Sequence, residues 1–392
     1  MSGSDAASNP LITTPAGKPR ARALGLSFDG EPGPFNAITD VPGLEVGYET
    51  IIRGEDVRTG ATAIHPRGSA SSGDPVAAGF HSQNGNGEMT GVPWIEESGT
   101  FSGPVVITNT HSVGTAHAAV VSWTLARHPE LGAGWLLPVV AETWDGFLND
   151  INGRHVDEQA VIAALDAASN GPIEQGSVGG GTGMSCYQFK GGSGSSSRIV
   201  EHHDDRYRVG VFLQTNFGRR RELTIGGMRV GETFADDPPV RGTVTPPPGA
   251  GSVIGFVATD APLLAYQCKA LARRVTLGLA RTGTSGSHFS GDIFLACSTG
   301  NRGAITPGLA SRRPGARPYD TLSFIPWGDM DPFFTAVVQA TEEAVVDSLI
   351  ANEDMVGKEG HRVPALPRQR LVAVLAEGPR GATQTNPTQN PH

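Results

Sequence analysis

The sequence predicts an α/β protein in which sheets and helices are stacked as a layered sandwich. Predicted strands and helices come partly in runs and partly in alternation along the chain. Many of the predicted strands are apolar on both faces, which is typical of sheets covered by helices or by a second sheet. With 392 residues, the chain is long enough for one large α/β structure or for two or three average domains.

In the first half of the chain, apolar runs separated by turn residues define the predicted elements. They are a turn and strand at 36–47, strands at 61–65, 104–109, 135–140 and 184–189, and helices at 112–127 and 157–168. The loop at 84–91 is dense in residues that tolerate positive φ, and it is either shaped around a site or a hairpin turn. The glycines at 179–183 lack the Lys and Ser/Thr of a phosphate-binding loop, so they are interpreted as a tight turn.

The second half shows clearer alternation. Strands are predicted at 208–214, 253–257, 291–297 and 371–375, with helices at 262–279 and 331–350. Asp260 is expected to cap the first of these helices, and Asp331 the second, with Pro332 at its first position. Residues 1–22 and 378–392 resemble a disordered leader and tail, which leaves 23–377 as a single domain.

Composition excludes several classes of protein. A net charge of −9 and a pI near 5.7 argue against a nucleic-acid partner. No run of about 18 apolar residues is present to span a membrane, and the first residues lack the apolar core of a signal peptide. Cys186, Cys268 and Cys297 have no metal-like spacing and indicate reduced thiols in a cytoplasmic protein. The polar cluster His202-His203-Asp204-Asp205 could bind a metal, but its adjacent spacing matches no common zinc motif, so it is interpreted as a solvated hairpin loop. Neither a metal nor an organic cofactor is expected.

The stretch that ends in Gly251-Ser252 is the strongest candidate for chemistry. Three prolines at 246–248 and the glycines around them precede Ser252, and a buried strand follows it. A serine at the start of an inner strand suits a self-cleaving N-terminal nucleophile. Its hydroxyl attacks the preceding carbonyl, and the amine then released serves as its own base. From this stretch alone, a linker serine is the more common interpretation.

Four further polar residues are predicted at strand ends, where the active sites of α/β proteins cluster. They are Asn216, Ser290, Asp292 and Glu142. An asparagine amide can donate to an oxyanion, Ser290 and Asp292 can hydrogen-bond an amine or relay its proton, and Glu142 can pair with a substrate ammonium group. Turn and surface roles remain open for each of them. A dyad between a serine and His288 also remains open.

Several ordered blocks of this sequence resemble the L-aminopeptidase/D-esterase family of N-terminal-serine hydrolases, which includes the β-peptidyl aminopeptidases. The blocks are 36–43 (NAITDVPG), 84–91 (NGNGEMTG), 94–99 (WIEESG), 108–114 (TNTHSVG), 140–146 (VAETWDG), 251–254 (GSVI), 258–262 (ATDAP) and 290–296 (SGDIFLA). The resemblance covers nearly the whole chain and favours Ser252 as a nucleophile over a linker serine.

The resemblance implies a four-layer αββα sandwich of the N-terminal-nucleophile type. It also implies a precursor that cleaves itself between Gly251 and Ser252, so that fragments 1–251 and 252–392 form the fold jointly. Homo-oligomers are expected, as tetramers of processed heterodimers or larger assemblies. Ser252 would be the nucleophile.

The other family positions match residue by residue. Ser290 and Asp292 match the residues that support the nucleophile, Asn216 the oxyanion donor, and Glu142 the acidic residue that receives the free amino group. Trp144 stands where some members carry tyrosine, and an indole N–H donates one hydrogen bond but accepts none.

The predicted activity is that of a self-processing serine aminopeptidase. It would release N-terminal residues, including D- or β-amino residues, from short peptides, amides or esters that carry a free amine. A free α-amine with a pKa near 8 suits a general base at neutral pH, whereas the uncleaved amide nitrogen takes no proton. The alternatives are an acyltransferase of related architecture and an unprocessed relative that binds small amines without catalysis.

Overall fold

The computed structural model describes residues 9–239, 251–307 and 317–378. The strands are β1 (Glu45–Arg53), β2 (Val57–His65), β3 (Val76–Gly85), β4 (Thr100–Phe101), β5 (Val105–Asn109), β6 (Val139–Thr143), β7 (Ser185–Cys186), β8 (Phe189–Lys190), β9 (Gly192–His202), β10 (Asp205–Asn216), β11 (Gly251–Thr259), β12 (Ser290–Ser298), β13 (Met355–Val356) and β14 (Arg362–Val363). The α-helices are α1 (Val92–Ser98), α2 (Val113–Arg127), α3 (Glu158–Asp166), α4 (Ala265–Arg281), α5 (Asp331–Ile350) and α6 (Arg368–Glu377).

Two large sheets form the centre of the molecule. The first has six strands in the order β4-β3-β12-β11-β10-β9, and the second has four in the order β1-β2-β5-β6. In the six-stranded sheet, β11 is antiparallel to β10 and parallel to β12. Strands from distant parts of the sequence therefore lie side by side at its centre.

The alternation of side chains along each strand determines the face of the sheet on which each residue lies. In β11, Ile254 and Phe256 belong to the core between the two sheets, whereas Val253 and Val257 pack in the core shared with α4 and α5. Successive strand residues point to opposite faces, so this is the expected pattern for a strand that is buried on both sides. It also places the side chain of Ser252 on the face directed at the second sheet.

Helices cover the outer face of each sheet. Helices α4 and α5 pack on the six-stranded sheet, with Leu271 and Val337 in their shared core. Helices α2 and α3 cover the four-stranded sheet, where Val120 and Leu165 meet Val106 of β5. The layers are therefore α, β, β, α, and the predicted four-layer sandwich is confirmed.

The prediction of a disordered leader over residues 1–22 is wrong for the described residues 9–22. Arg20 is 2% exposed and forms an ion pair with Asp347 of α5, with its Nη2 2.6 Å from Oδ2. It also donates to the carbonyls of Pro10, Phe35, Asn36 and Ser195. Composition suggested disorder because the segment has few apolar residues, but one buried cation anchors it to the fold.

Other boundaries also differ from the prediction. Residues 371–375 form part of α6 instead of a strand, because the spacing of Leu371, Val374 and Leu375 places them on one helical face against the core. Asp260 does not cap α4, which begins at Ala265; its carboxylate accepts from the backbone N–H of Arg208 at 2.6 Å instead.

Three further expectations concern capping and extent. The N-cap of α5 is Met330 rather than Asp331, and the strand predicted at 135–140 begins only at Val139. The prolines at 246–248 and the predicted tail beyond residue 378 lie outside the described ranges. Among the helices that are described, none has both the length and the apolar character needed to cross a bilayer.

Candidate active site

Ser252 is the second residue of β11, in the middle of the six-stranded sheet. Its side chain is 3% exposed, and its Oγ is buried without a hydrogen-bond partner among the described residues. Buried hydroxyl groups in folded proteins normally form hydrogen bonds, so an unpartnered one indicates a role other than stabilising the fold. The backbone of Ser252 pairs with Asn216 on one side and with Gly291 on the other.

Asn216 ends β10 and is held in one orientation. Its Oδ1 accepts from the backbone N–H of Ser185 at 2.9 Å, and its Nδ2 donates to the carbonyl of Trp144 at 2.9 Å. An amide nitrogen carries two N–H groups, so a second donor remains after the bond to Trp144. Because Asn216 lies opposite Ser252 in the ladder, this donor belongs to the same end of the sheet as the serine hydroxyl.

Ser290 and Asp292 form a hydrogen-bonded pair on the strand at the other side of β11. Ser290 Oγ donates to Asp292 Oδ1 at 2.5 Å, and Ser290 pairs with Gly251 across the parallel ladder. The pair therefore flanks the peptide bond between residues 251 and 252. Asp292 is mostly buried, and burial raises the pKa of its carboxyl above the usual range, while the hydrogen bond from Ser290 opposes this shift.

Asn84 is the second donor to Asp292. Its Nδ2 lies 3.0 Å from Asp292 Oδ2 and 3.2 Å from the carbonyl oxygen of Ser287. Both oxygens of the carboxylate thus accept a hydrogen bond, and the contact from Asn84 also opposes the rise in the pKa of Asp292. The sequence analysis predicted a loop at 84–91 but did not single out this residue. Its position in a Gly- and Asn-rich loop was the available signal.

Glu142 lies in β6, on the other sheet. Its Oε1 accepts from the backbone N–H of Glu88 at 2.9 Å, and its Oε2 accepts from the hydroxyl of Thr110. The side chain is 3% exposed, and burial raises the pKa of the Glu142 carboxyl, with both hydrogen bonds acting in the opposite direction. Thr110 was another partner that the sequence analysis did not identify.

The loop at 84–91 joins these two groups. A Cβ on Gly87 would lie 3.2 Å from Glu142 Oε1 and 3.3 Å from the Cα of Gly291, which is the ladder partner of Ser252. Glu142 and the part of the sheet that carries Ser252 therefore flank one narrow gap, which Gly87 occupies. A side chain at position 87 would press on both sides of this gap, so its neighbours would have to shift by a few tenths of an ångström to admit it.

The remaining candidates lie at different distances from this gap. Trp144 follows β6; its carbonyl accepts from Asn216, and its indole is 39% exposed and packs against Gly146. His288 is exposed, and its ring contacts the ring of Phe289, with no hydrogen bond to a serine among the described residues. The structure thus brings together Ser252, Asn216, Ser290 and Asp292, with Glu142 and Trp144 across the gap between the sheets.

Comparison with known sequences assigns most of the chain, including every residue of the candidate site, to one family. The model of Peptidase family S58 matches residues 36–363. The beta-peptidyl aminopeptidase BapA of Sphingosinicella microcystinivorans is 47% identical over 374 residues, which cover 91% of this chain and 92% of the relative. BapA of Sphingosinicella xenopeptidilytica is 44% identical and covers 91% of each chain.

Solved structures agree with this assignment. The L-aminopeptidase D-Ala-esterase/amidase of Ochrobactrum anthropi, described as a prototype for the serine aminopeptidases and a new variant among the Ntn hydrolase fold, is 45% identical, with a TM-score of 0.84. The match covers 92% of this chain and 99% of that one. A beta-aminopeptidase from a Burkholderia species is 41% identical, with a TM-score of 0.83 and 91% and 98% coverage.

Proposed function

Because this chain belongs to Peptidase family S58 and is a serine aminopeptidase, we propose that it is activated by its own cleavage between Gly251 and Ser252. Its substrates are short peptides, amides or esters with a free amino group, including those with β-amino or D-amino residues at the N-terminus. The observation that carries the proposal is the buried, unpartnered hydroxyl of Ser252, flanked by Asn216 and by the pair formed by Ser290 and Asp292.

Cleavage converts the backbone nitrogen of Ser252 from an amide into a primary amine. This change creates a general base on the same residue as the nucleophile, since only the amine accepts a proton near neutral pH. The pair formed by Ser290 and Asp292 lies beside this nitrogen, because Ser290 is the ladder partner of Gly251. The negative charge of Asp292 acts through the hydroxyl of Ser290. It stabilises the ammonium form of the Ser252 amine that appears during the reaction.

Acylation then follows in two steps. Ser252 Oγ adds to the substrate carbonyl while its proton passes to the α-amine, and the second N–H of Asn216 donates to the oxyanion. The tetrahedral adduct expels the leaving amine or alcohol, which takes the proton back from the α-ammonium. Water hydrolyses the acyl-enzyme by the same route and releases the N-terminal residue.

Glu142 provides the anchor for the free amine of the substrate. It is a buried carboxylate with two donors on its oxygens and lies across the gap from Gly291. A substrate ammonium group completes the charge balance of this carboxylate, which explains a requirement for a free N-terminus. Trp144 lies two residues after Glu142, and its partly exposed indole contacts the substrate through its apolar face.

The proposal also includes the cellular location of the enzyme and its oligomeric assembly. All three cysteines are free and buried, which supports a location in the reducing cytoplasm. The processed heterodimers are further proposed to assemble into larger oligomers, and Trp135, Tyr266 and Tyr319, each more than three-quarters exposed, are the candidate contacts for such an interface. Sedimentation of the purified enzyme tests the assembly.

The decisive variant is Ser252→Ala. Without the hydroxyl, neither cleavage nor acylation occurs, so the chain stays intact at 40.8 kDa and loses aminopeptidase activity by at least about 10³-fold. Intact-mass spectrometry of freshly purified protein measures the cleavage, and release of a chromogenic amine from an aminoacyl substrate measures the activity.

The matched control is Ser285→Ala, which removes an exposed hydroxyl close to β12. This variant is expected to be processed and active like the wild type. Full aminopeptidase activity in an uncleaved Ser252→Ala chain would show that Ser252 is not the nucleophile.

A further inference from the structure

Three potential metal-ligating side chains meet at the end of the six-stranded sheet that lies away from the active site. They are His202 and His203, at the turn between β9 and β10, and Asp329, in the turn just before α5. Their ligand atoms all lie within 4.8 Å of one another. Asp205 and Asn216 lie at opposite ends of β10, so this group is roughly 35 Å from the site described above.

We propose that His202, His203 and Asp329 bind a divalent transition-metal ion of the zinc class. Two imidazoles and one carboxylate are a donor set that suits zinc and its neighbours in the first transition row. Bonds of about 2.0–2.1 Å in a tetrahedral site place the ligand atoms about 3.4 Å apart. His202 Nε2 and Asp329 Oδ2 lie 3.3 Å apart, at the distance this geometry requires; they form a hydrogen bond that a bound ion would replace.

The first ligand is fixed by its surroundings. The ring of His202 lies near those of Tyr207 and Phe333, at 6.5 Å between centroids in both cases, and its side chain is only 16% exposed. The ring of His203 stands edge-on to it at 4.5 Å. Because His202 is already placed, only His203 and the 45% exposed Asp329 side chain must move to close the site. A water molecule would supply the fourth ligand from the solvent side.

The sequence could not identify this group as a metal site. Adjacent histidines match no common zinc motif, and the third ligand lies in a different part of the chain. The tertiary structure supplies it, because the turn before α5 packs beside the hairpin that joins β9 to β10.

The location has a consequence that rests on the proposed cleavage. Both histidines belong to fragment 1–251, and Asp329 belongs to fragment 252–392. An ion bound here would join the two fragments at the end of the sheet remote from the cut. It would therefore raise the resistance of the processed enzyme to unfolding without being required for the reaction.

The test uses full-length, tag-free protein that has been treated with a chelator and then freed of it. Zinc is titrated by calorimetry, and cobalt(II) by the visible absorption bands of its tetrahedral complexes. We expect saturable binding of one ion per chain. His203→Asn, which keeps a residue that tolerates the positive φ of 52° at this position, and Asp329→Asn should each weaken binding by about tenfold or more.

The matched control is His155→Asn. His155 Nε2 also lies 3.3 Å from a carboxylate oxygen, that of Asp150, but this pair does not belong to a three-ligand group among the described residues. It should leave the titration unchanged. Absence of saturable binding, or binding that neither His203→Asn nor Asp329→Asn weakens, would overturn the proposal.

Two further measurements separate this site from the proposed cleavage. The Ser252→Ala chain is expected to bind zinc as the wild type does, whether or not it is cleaved, so a failure of self-processing leaves the metal test intact. In processed protein, zinc should raise the denaturation midpoint, and Asp329→Asn should reduce this rise at the same zinc concentration. An equal rise in that variant would contradict the bridging role.

Discussion

Two neutral donors favour the charged form of the Asp292 carboxyl group and oppose the effect of burial. Burial raises its pKa, while the hydrogen bonds from Ser290 and Asn84 lower it. Hydrogen bonds to a carboxylate favour its ionised form, so the loss of either donor leaves the effect of burial less opposed. The charge of Asp292 thus depends on Asn84, a residue from another strand.

This balance gives the first prediction at the residue scale. Asn84→Ala should raise the pKa of Asp292 further, because the loss of a hydrogen bond to the charged carboxylate leaves the effect of burial less opposed. The protonated fraction of Asp292 then grows as the pH falls. We therefore expect the ratio of variant to wild-type kcat/KM to decrease steadily from neutral to acidic pH.

Asn86→Ala is the control for this experiment, because Asn86 lies in the same loop but donates to the carbonyl of Phe289 and not to Asp292. Its activity ratio should be independent of pH. A constant ratio for Asn84→Ala as well would mean that Asn84 has only a structural role.

Glu142 gives the second prediction at this scale. Glu142→Gln keeps the shape of the side chain and removes its charge, so kcat/KM for substrates with a free amine should fall by roughly 10- to 100-fold. Hydrolysis of matched N-acetylated esters should change little, since they carry no ammonium group. Measuring both substrates in the same variant separates amine recognition from general damage.

Glu88→Gln serves as the control, because it retains the backbone donor to Glu142 and removes an exposed neighbouring charge that itself raises the pKa of Glu142, so Glu142 stays charged. Its effect on either substrate should be at most a few-fold. Equal losses on free and acetylated substrates in Glu142→Gln would show that this carboxylate does not bind the amine.

At the scale of elements, the segment that ends in the 3₁₀ helix Ala21–Leu24 is a clasp that holds α5 and β9 together. Arg20 links it to Asp347 of α5 and to the carbonyl of Ser195 in β9. Both charged side chains are almost fully buried. Removal of one partner of a buried ion pair leaves the other charge uncompensated, which is costly.

We therefore expect Arg20→Ala to lower the free energy of unfolding by about 3–5 kcal/mol. Lys18→Ala is the control, since Lys18 lies in the same segment but its contacts are partly exposed: an ion pair with Glu174 at 3.5 Å and a hydrogen bond to the carbonyl of Gln175 at 3.2 Å. Its loss should be at most about 1 kcal/mol. Urea denaturation followed by circular dichroism measures both, and equal small losses would show that the clasp does not stabilise the fold.

At the scale of the whole molecule, the two proposed fragments share one sheet. Strands β11 and β12, which follow the proposed cut, lie between β3 and β10, which precede it. Separation of the fragments would break the ladders at β3–β12 and β10–β11 and expose the cores on both faces of the sheet. Cleavage of one peptide bond leaves all of these contacts in place.

The processed enzyme should therefore give two bands on a denaturing gel but one species in native size-exclusion chromatography. It should also unfold in a single transition, because the fragments have no separate cores. Elution of the two fragments as separate species, or their independent unfolding, would contradict this description of the fold.

The sequence by itself determined the elements with strong local patterns. The apolar runs of β10 and β11 and the periodic faces of α4 and α5 depend on neighbouring residues only, so they were predicted close to their observed positions. The position of Ser252 at the start of a buried strand was also readable from its own surroundings. The Val- and Leu-rich end of the chain was misassigned because strand propensity outweighed a short helical spacing.

Only the tertiary structure decided which distant groups meet. Asn84 reaches Asp292 because the strand order places β3 beside β12, and Thr110 reaches Glu142 because β5 lies beside β6. Arg20 reaches Asp347 because the N-terminal segment packs on α5. Local periodicity specifies that a strand forms and which face is buried, but it does not specify the neighbour of that strand. Contacts between non-consecutive strands depend on how the whole core packs, and the site is built from such contacts.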